Sequence, residues 1–163
     1  MKEATEHECV KCEGTLPPDF EKKAMEKMGY LGLIVLDDKD FPNGCNIHTH
    51  GFWESWKHPD IQIVIPMPKE IIGPIFGTAK EIATRGGQII TGRLYDNFLK
   101  GFNVEFAWAV ECDRDILRII LPDKDGETAR GKIAAPYDKQ WEGTNEVVTQ
   151  GRYIHEYYKL GEV

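Results

Sequence analysis

No window of the 163-residue chain approaches the roughly 18 uninterrupted apolar residues that a membrane-spanning helix requires. The opening Met-Lys-Glu-Ala-Thr-Glu-His has no apolar core of the kind a secretion signal carries, so the sequence reads as that of a cytoplasmic protein with no membrane partner. Basic clusters are scarce too. A formal net charge of -7 and a pI near 5.3 repel polyanions, and Lys22, Lys23 and Lys27 stand among Glu21 and Glu26 as a solvated helix face, so nucleic acid is not an expected partner. Gly-x-Ser-x-Gly elbows, phosphate loops and dinucleotide fingerprints are missing, and nothing near Ser55 supplies the orienting geometry of a triad. Cysteine occurs only at positions 9, 12, 45 and 112, which in a cytoplasmic chain points to thiols or metal ligands rather than a disulfide framework.

With 41% hydrophobic and 29% charged residues, the composition is that of an ordinary globular protein, and 163 residues suit a single domain with one core. Residues 1–16 read as a polar tail. Pro17-Pro18 and Asp19 open a short amphipathic helix with Phe20, Ala24, Met25 and Met28 at helical spacing, and Gly29 ends it. The apolar run from Tyr30 to Leu36 predicts a strand, and Pro42 with Asn43-Gly44 a reversal. A second extended stretch starts at Cys45, and Ile61 to Ile65 is a third, ended by Pro66 and Pro68.

Ile71, Ile72, Ile75, Phe76, Ala79, Ile82 and Ala83 mark one face of the main helix, residues 69–86, with Pro74 predicting a kink or a late start. Residues 88–101 read as a connection with one short strand or turn. Strict alternation from Phe102 to Cys112 predicts the clearest strand, Asp113-Arg114-Asp115 a hairpin connection, and Ile116 to Leu121 the next strand. Residues 129–163 are loop-rich, with a terminal helix or docking segment at 153–160. The expected fold is α+β: a mainly antiparallel sheet of five or six strands, the main helix packed on one face and the short N-terminal helix beside it. The other face would stay open to water or a partner, a second copy included, which makes a homodimer an expectation.

Chemistry concentrates between Cys45 and Asp60, sixteen residues that hold three of the five histidines. If residues 45–54 are extended, His48, His50, Phe52 and Glu54 share one face. Two imidazoles at i and i+2 can chelate one divalent ion such as zinc, completed by Glu54 or His58; the alternative is a sheet surface without metal. His7, Cys9 and Cys12 offer half of a structural zinc site that Cys45 and a histidine could complete; the alternative is a flexible tail with two thiols. Asp123-Lys-Asp125-Gly126-Glu127 hints at a calcium loop, yet lacks the acidic spacing and reads better as a turn.

The run Thr49-x-Gly51-Phe52-x-Glu54-x-x-x-His58-Pro59-Asp60, followed by Leu117-Arg-Ile-Ile-Leu-Pro-Asp123-x-x-Gly126, resembles the bacterial domain-of-unknown-function family numbered 4262, across about residues 30–128. The resemblance carries over Thr49, Gly51, Glu54, His58, Pro59, Asp123 and Gly126. In much of that family an aromatic and an apolar residue stand where this chain has His48 and His50, so the resemblance places weight on His58 and Glu54 instead.

Three functions follow as expectations. One is a binding or regulatory module whose pocket, lined by His48, His50, Trp53, Glu54 and His58, takes a small molecule or a protein. Another is a metal-dependent hydrolase with His48, His50 and His58 as ligands and Glu54, His58 or Asp60 as catalytic groups. The third is a structural zinc clip at Cys9, Cys12 and Cys45.

Overall fold

The computed structural model describes residues 19–112 and 114–145. The tail with His7, Cys9 and Cys12, the hairpin residue Asp113 and the segment 153–160 lie outside the described residues. Helix α1 (Phe20–Met28) buries Ala24, while Phe20 and Met28 stay largely exposed. It stops at Gly29, whose left-handed backbone directs its N–H to Met25 O. Strand β1 (Leu31–Leu36) follows and, after a turn at Pro42–Gly44, pairs antiparallel with β2 (Cys45–His50), Leu31 opposite His50 and Leu36 opposite Cys45.

Strand β2 ends sooner than the alternation predicts. Gly51 takes φ 105, a conformation disfavoured for residues with a Cβ, and a Cβ there would also collide with Met25 Sδ of α1. The chain turns at once into a short helix, α2 (Phe52–Trp56). Phe52 and Glu54 therefore do not continue the histidine face of β2. Strand β3 (Ile61–Ile63) has three residues rather than five and joins the two halves of the sheet, antiparallel to β2 and parallel to β6.

Helix α3 (Lys69–Thr84) begins ahead of Pro74 and runs through it, so the late start does not occur, and it ends before Gly86 and Gly87, whose amides donate to Ala83 O and Ile82 O. Strands β4 (Tyr95–Leu99), β5 (Phe102–Glu111) and β6 (Arg114–Ile120) form an antiparallel meander. Arg114, expected in the hairpin connection, is a strand residue. A 3-10 turn at Tyr137–Trp141 leads into β7 (Thr144–Asn145), which pairs with β5. Among the described residues the sheet order is β1-β2-β3-β6-β5-β4 with β7 beside β5, an α+β architecture whose sheet is mixed through the single parallel pair β3–β6.

Alternation divides the sheet into two faces of different composition. Cys45, Ile47, Ile61, Ile63, Phe106, Trp108, Leu117 and Ile119 form the main core with Ile72, Ile75, Phe76 and Ala79 of α3. Each buried Ile, Leu or Phe among them contributes about 1.5–3 kcal/mol relative to exposure. The opposite face carries His48, His50, Gln62, Arg114, Arg118 and Glu111, all 2% exposed or less. This face is covered rather than open, contrary to the expectation behind a homodimer. Ala24 and Cys112 pack with Leu31 and Leu33 at one end, and Ile133, Tyr137 and Trp141 pack over Ala107 and Ile120 at the other. No helix among the described residues is long and apolar enough to cross a membrane.

Candidate metal centre

The period of two along β2 puts His48 and His50 on the polar face, as expected, with their Nε2 atoms 2.9 Å apart. Glu111, the last residue of β5, brings Oε1 to 3.4 Å from His48 Nε2. One donor atom from each of these three residues lies within 4.8 Å of the others, and the side chains are buried at 0%, 1% and 1% exposure. His48 Nδ1 lies 3.3 Å from Asn46 O, a contact that assigns the proton to Nδ1 and leaves the Nε2 lone pair directed at His50 and Glu111. Burial drives the His48 pKa down to about 4, against the opposing pull of Glu111, so the ring is neutral at neutral pH.

A neutral imidazole nitrogen, a second imidazole nitrogen and a carboxylate oxygen thus converge. The proton that His50 can donate to His48 satisfies one contact of the three. One divalent ion can take all three: at bond lengths of about 2.0–2.2 Å, donors sharing one zinc sit roughly 3.0–3.5 Å apart, close to the 2.9 Å and 3.4 Å separations from His48 Nε2, with the third pair held within 4.8 Å. The Nδ1–H bond to a backbone carbonyl is the orienting contact that metal-bound histidines commonly make.

Arg114 fixes the carboxylate. Its Nε donates to Glu111 Oε2 at 2.9 Å, its Nη2 to Thr49 O at 2.9 Å and its Nη1 to Asp60 Oδ2. Asp60 Oδ1 accepts from the Thr49 hydroxyl at 2.7 Å and from Phe52 N at 3.2 Å, and Thr49 Oγ1 accepts from Ile61 N at 3.0 Å. Glu111 therefore presents one oxygen to Arg114 and the other to His48. Burial lifts the Asp60 pKa above the usual carboxylate range, with Arg114 and the two donors pulling the other way.

The remaining sequence candidates are dispersed. His58 is buried, but it bonds through Nδ1 to Pro59 O at 2.8 Å and sits edge-on to Phe52, outside the cluster; Glu111 takes the place assigned to it as third ligand. Trp53 belongs to the apolar core, and Glu54 lies half-buried on α2. The five residues expected to line one pocket are thus split between the polar face, the core and the α2 loop. Asp60 is an ion-pair partner rather than a poised base.

Cys45 is a free thiol in the apolar core beneath α3, its pKa pushed up to about 11 by burial, so it faces away from the histidines. Cys112 is disulfide-bonded, which corrects the expectation that all four cysteines are thiols or ligands. The acidic loop is a turn, as read: Asp123 Oδ1 accepts from Asp125 N and Glu127 N and Oδ2 from Ala134 N, bonds that hold its pKa low.

Sequence reasoning missed Glu111 and Arg114. Both follow from long-range strand pairing, and the only local signal was a charged residue closing the small-residue side of the β5 alternation. Comparisons with protein-family models, curated proteins and solved structures find no match to this chain.

Proposed function

We propose that the protein is a small binding or regulatory module organised around a buried transition-metal centre, with His48, His50 and Glu111 as ligands and zinc as the ion best suited to two imidazoles and a carboxylate. The observation that carries this reading is the convergence of three buried donor atoms within 4.8 Å. A closed role is favoured over hydrolysis because a catalytic ion needs a coordination position that substrate can reach, and these ligands are no more than 1% exposed. Among the described residues, the bases considered for a hydrolase lie elsewhere: Asp60 is clamped by Arg114 and Thr49, and Glu54 sits on α2.

Kinship with family 4262 remains part of this proposal. On that view Thr49 and Asp123 support backbone, and the histidine pair is this chain's own elaboration. A cytoplasmic setting belongs to the proposal as well, although the disulfide at Cys112 weighs against it, because reducing compartments rarely keep such bonds.

The test is elemental analysis of protein purified without added metal or chelator and then incubated with zinc. The expected result is close to one ion per chain, lost in His48→Ala/His50→Ala and kept in Cys9→Ser/Cys12→Ser. Zinc retained in the histidine variant, or a wild type that takes up no zinc, would end the reading.

A further inference from the structure

Strand β1 is an edge of the sheet, and among the described residues no strand pairs with its outer side. Such an edge presents a row of unmatched N–H and C=O groups, which proteins blunt with charge, proline or a bulge. Leu31-Gly-Leu-Ile-Val-Leu36 has none of these: it is uncharged and runs in unbroken register with β2. Alternation sorts its side chains. Leu31 and Leu33 are buried beside Ala24 on the polar side of the sheet. Ile34 and Leu36 stand opposite the core residues Ile47 and Cys45 on the α3 side, yet they are 43% and 61% exposed, an outer row of the core that α3 does not cover. Gly32 belongs to the same row and faces Phe76 of α3; a Cβ there would meet Phe76 at 3.5 Å, an ordinary contact, so the fold tolerates a side chain at this position and its absence leaves space.

That space is part of a groove of about 270 Å³ between β1 and α3, lined by Met28, Gly32, Ile34, Gly73 and Phe76 and carrying Lys69. We propose that the groove and the β1 edge seat a second copy of this chain, with the two β1 strands pairing antiparallel about a two-fold axis at Ile34. A two-fold axis normal to the sheet keeps like faces together, so opposed residues share parity. Centred on Ile34, it sets Ile34 against itself and Gly32 against Leu36 of the second copy, and each protruding Leu36 enters the space the other copy leaves at Gly32. Centred on Leu33, it would set Leu36 against Tyr30 and leave the projection without a recess. Charge agrees with the first register. Asp37, which follows Leu36, and Lys69, on the groove, are both exposed and have no partner among the described residues, and the pairing brings Asp37 of each copy towards Lys69 of the other. The interface is the sheet edge, not the covered polar face, and it does not depend on the metal centre.

The experiment is sedimentation equilibrium of chelator-treated full-length protein, so that no ion bridges the copies. A monomer–dimer equilibrium with a Kd of about 100 μM or below is expected. Leu36→Lys alters an exposed side chain, so it should leave the circular dichroism spectrum unchanged while weakening dimerisation by roughly tenfold or more, about 1.4 kcal/mol. Gly32→Val, which fills the recess, should weaken it by a similar factor. Lys69→Asp should weaken it as well, and adding Asp37→Lys should restore it. Register is read separately by mild oxidation: Ile34→Cys should give a covalent dimer, because a residue opposite itself in antiparallel strands lies within disulfide reach, and Val35→Cys should not. The proposal is overturned if the wild type stays monomeric to about 1 mM, if Leu36→Lys and Gly32→Val dimerise as tightly as the wild type, or if Val35→Cys cross-links and Ile34→Cys does not.

Discussion

The two faces of the sheet come from the same strands, yet they are held by different rules. On the α3 side, Ile47, Ile63, Leu117 and Ile119 meet Ile72, Ile75 and Phe76, contacts without direction that depend on volume and shape. On the other side, Arg114, Glu111, Asp60, Thr49, Gln62 and Arg118 are linked donor to acceptor, and each group relies on a particular neighbour. Conservative changes should therefore be absorbed on the apolar face and costly on the polar one, since removing one member leaves its partners buried without compensation.

The sharpest break in that contrast would come at Arg114. Arg114→Ala leaves Glu111 and Asp60 buried without their shared cation and should cost about 3–5 kcal/mol in urea unfolding. Neutralising the whole group, as in Arg114→Met with Glu111→Gln and Asp60→Asn, should recover most of that loss. A single substitution costing under about 1 kcal/mol would mean that the network contributes little to stability.

His58 tests burial of an imidazole away from both faces, against Phe52. Its folded pKa, lowered to about 4 by desolvation, lies below the ordinary 6.5, so the folded state resists protonation while the unfolded chain accepts it. The associated stability is complete above about pH 6.5 and is lost as pH falls towards 4, by on the order of 3 kcal/mol. Unfolding free energies of wild type and His58→Gln, measured from pH 7.5 to 4, should converge over that window. Parallel curves would show that His58 titrates normally. The smallest effect is expected on the apolar face, where Ile75→Val should cost about 1 kcal/mol. A loss as large as that at Arg114 would erase the difference between the faces.

How much of this was legible in the sequence follows the range of the interactions. The apolar run at Leu31–Leu36, the periodic face of α3 and the alternation of β5 are local patterns, and each gave its element. The α+β class and the shared face of His48 and His50 were readable for the same reason. The extension of β2 to Glu54 failed because Gly51, which looked like one more alternating position, holds a left-handed backbone against Met25 of α1. Continuity of α3 through Pro74 is a tertiary outcome: burial of Ile72, Ile75, Phe76 and Ala79 outweighs the one backbone bond a proline cannot make. Glu111 reaches His48 only because β3 and β6 pair in parallel and join the two antiparallel halves, a register that no local spacing encodes. His58, near the histidine pair in sequence, is separated from it by the turn into α2.

The central claim is that the polar face assembles a metal centre from two distant strands, and Glu111 tests it most directly because only the fold brings it to the histidines. Zinc should be titrated into chelator-treated wild type, His50→Ala and Glu111→Gln in competition with a chromophoric chelator, with circular dichroism confirming that each variant is folded. The account predicts one site per chain in the wild type and a loss of affinity of roughly a hundredfold or more in each variant. Unchanged zinc affinity in folded Glu111→Gln, or the absence of a single site in the wild type, would contradict it.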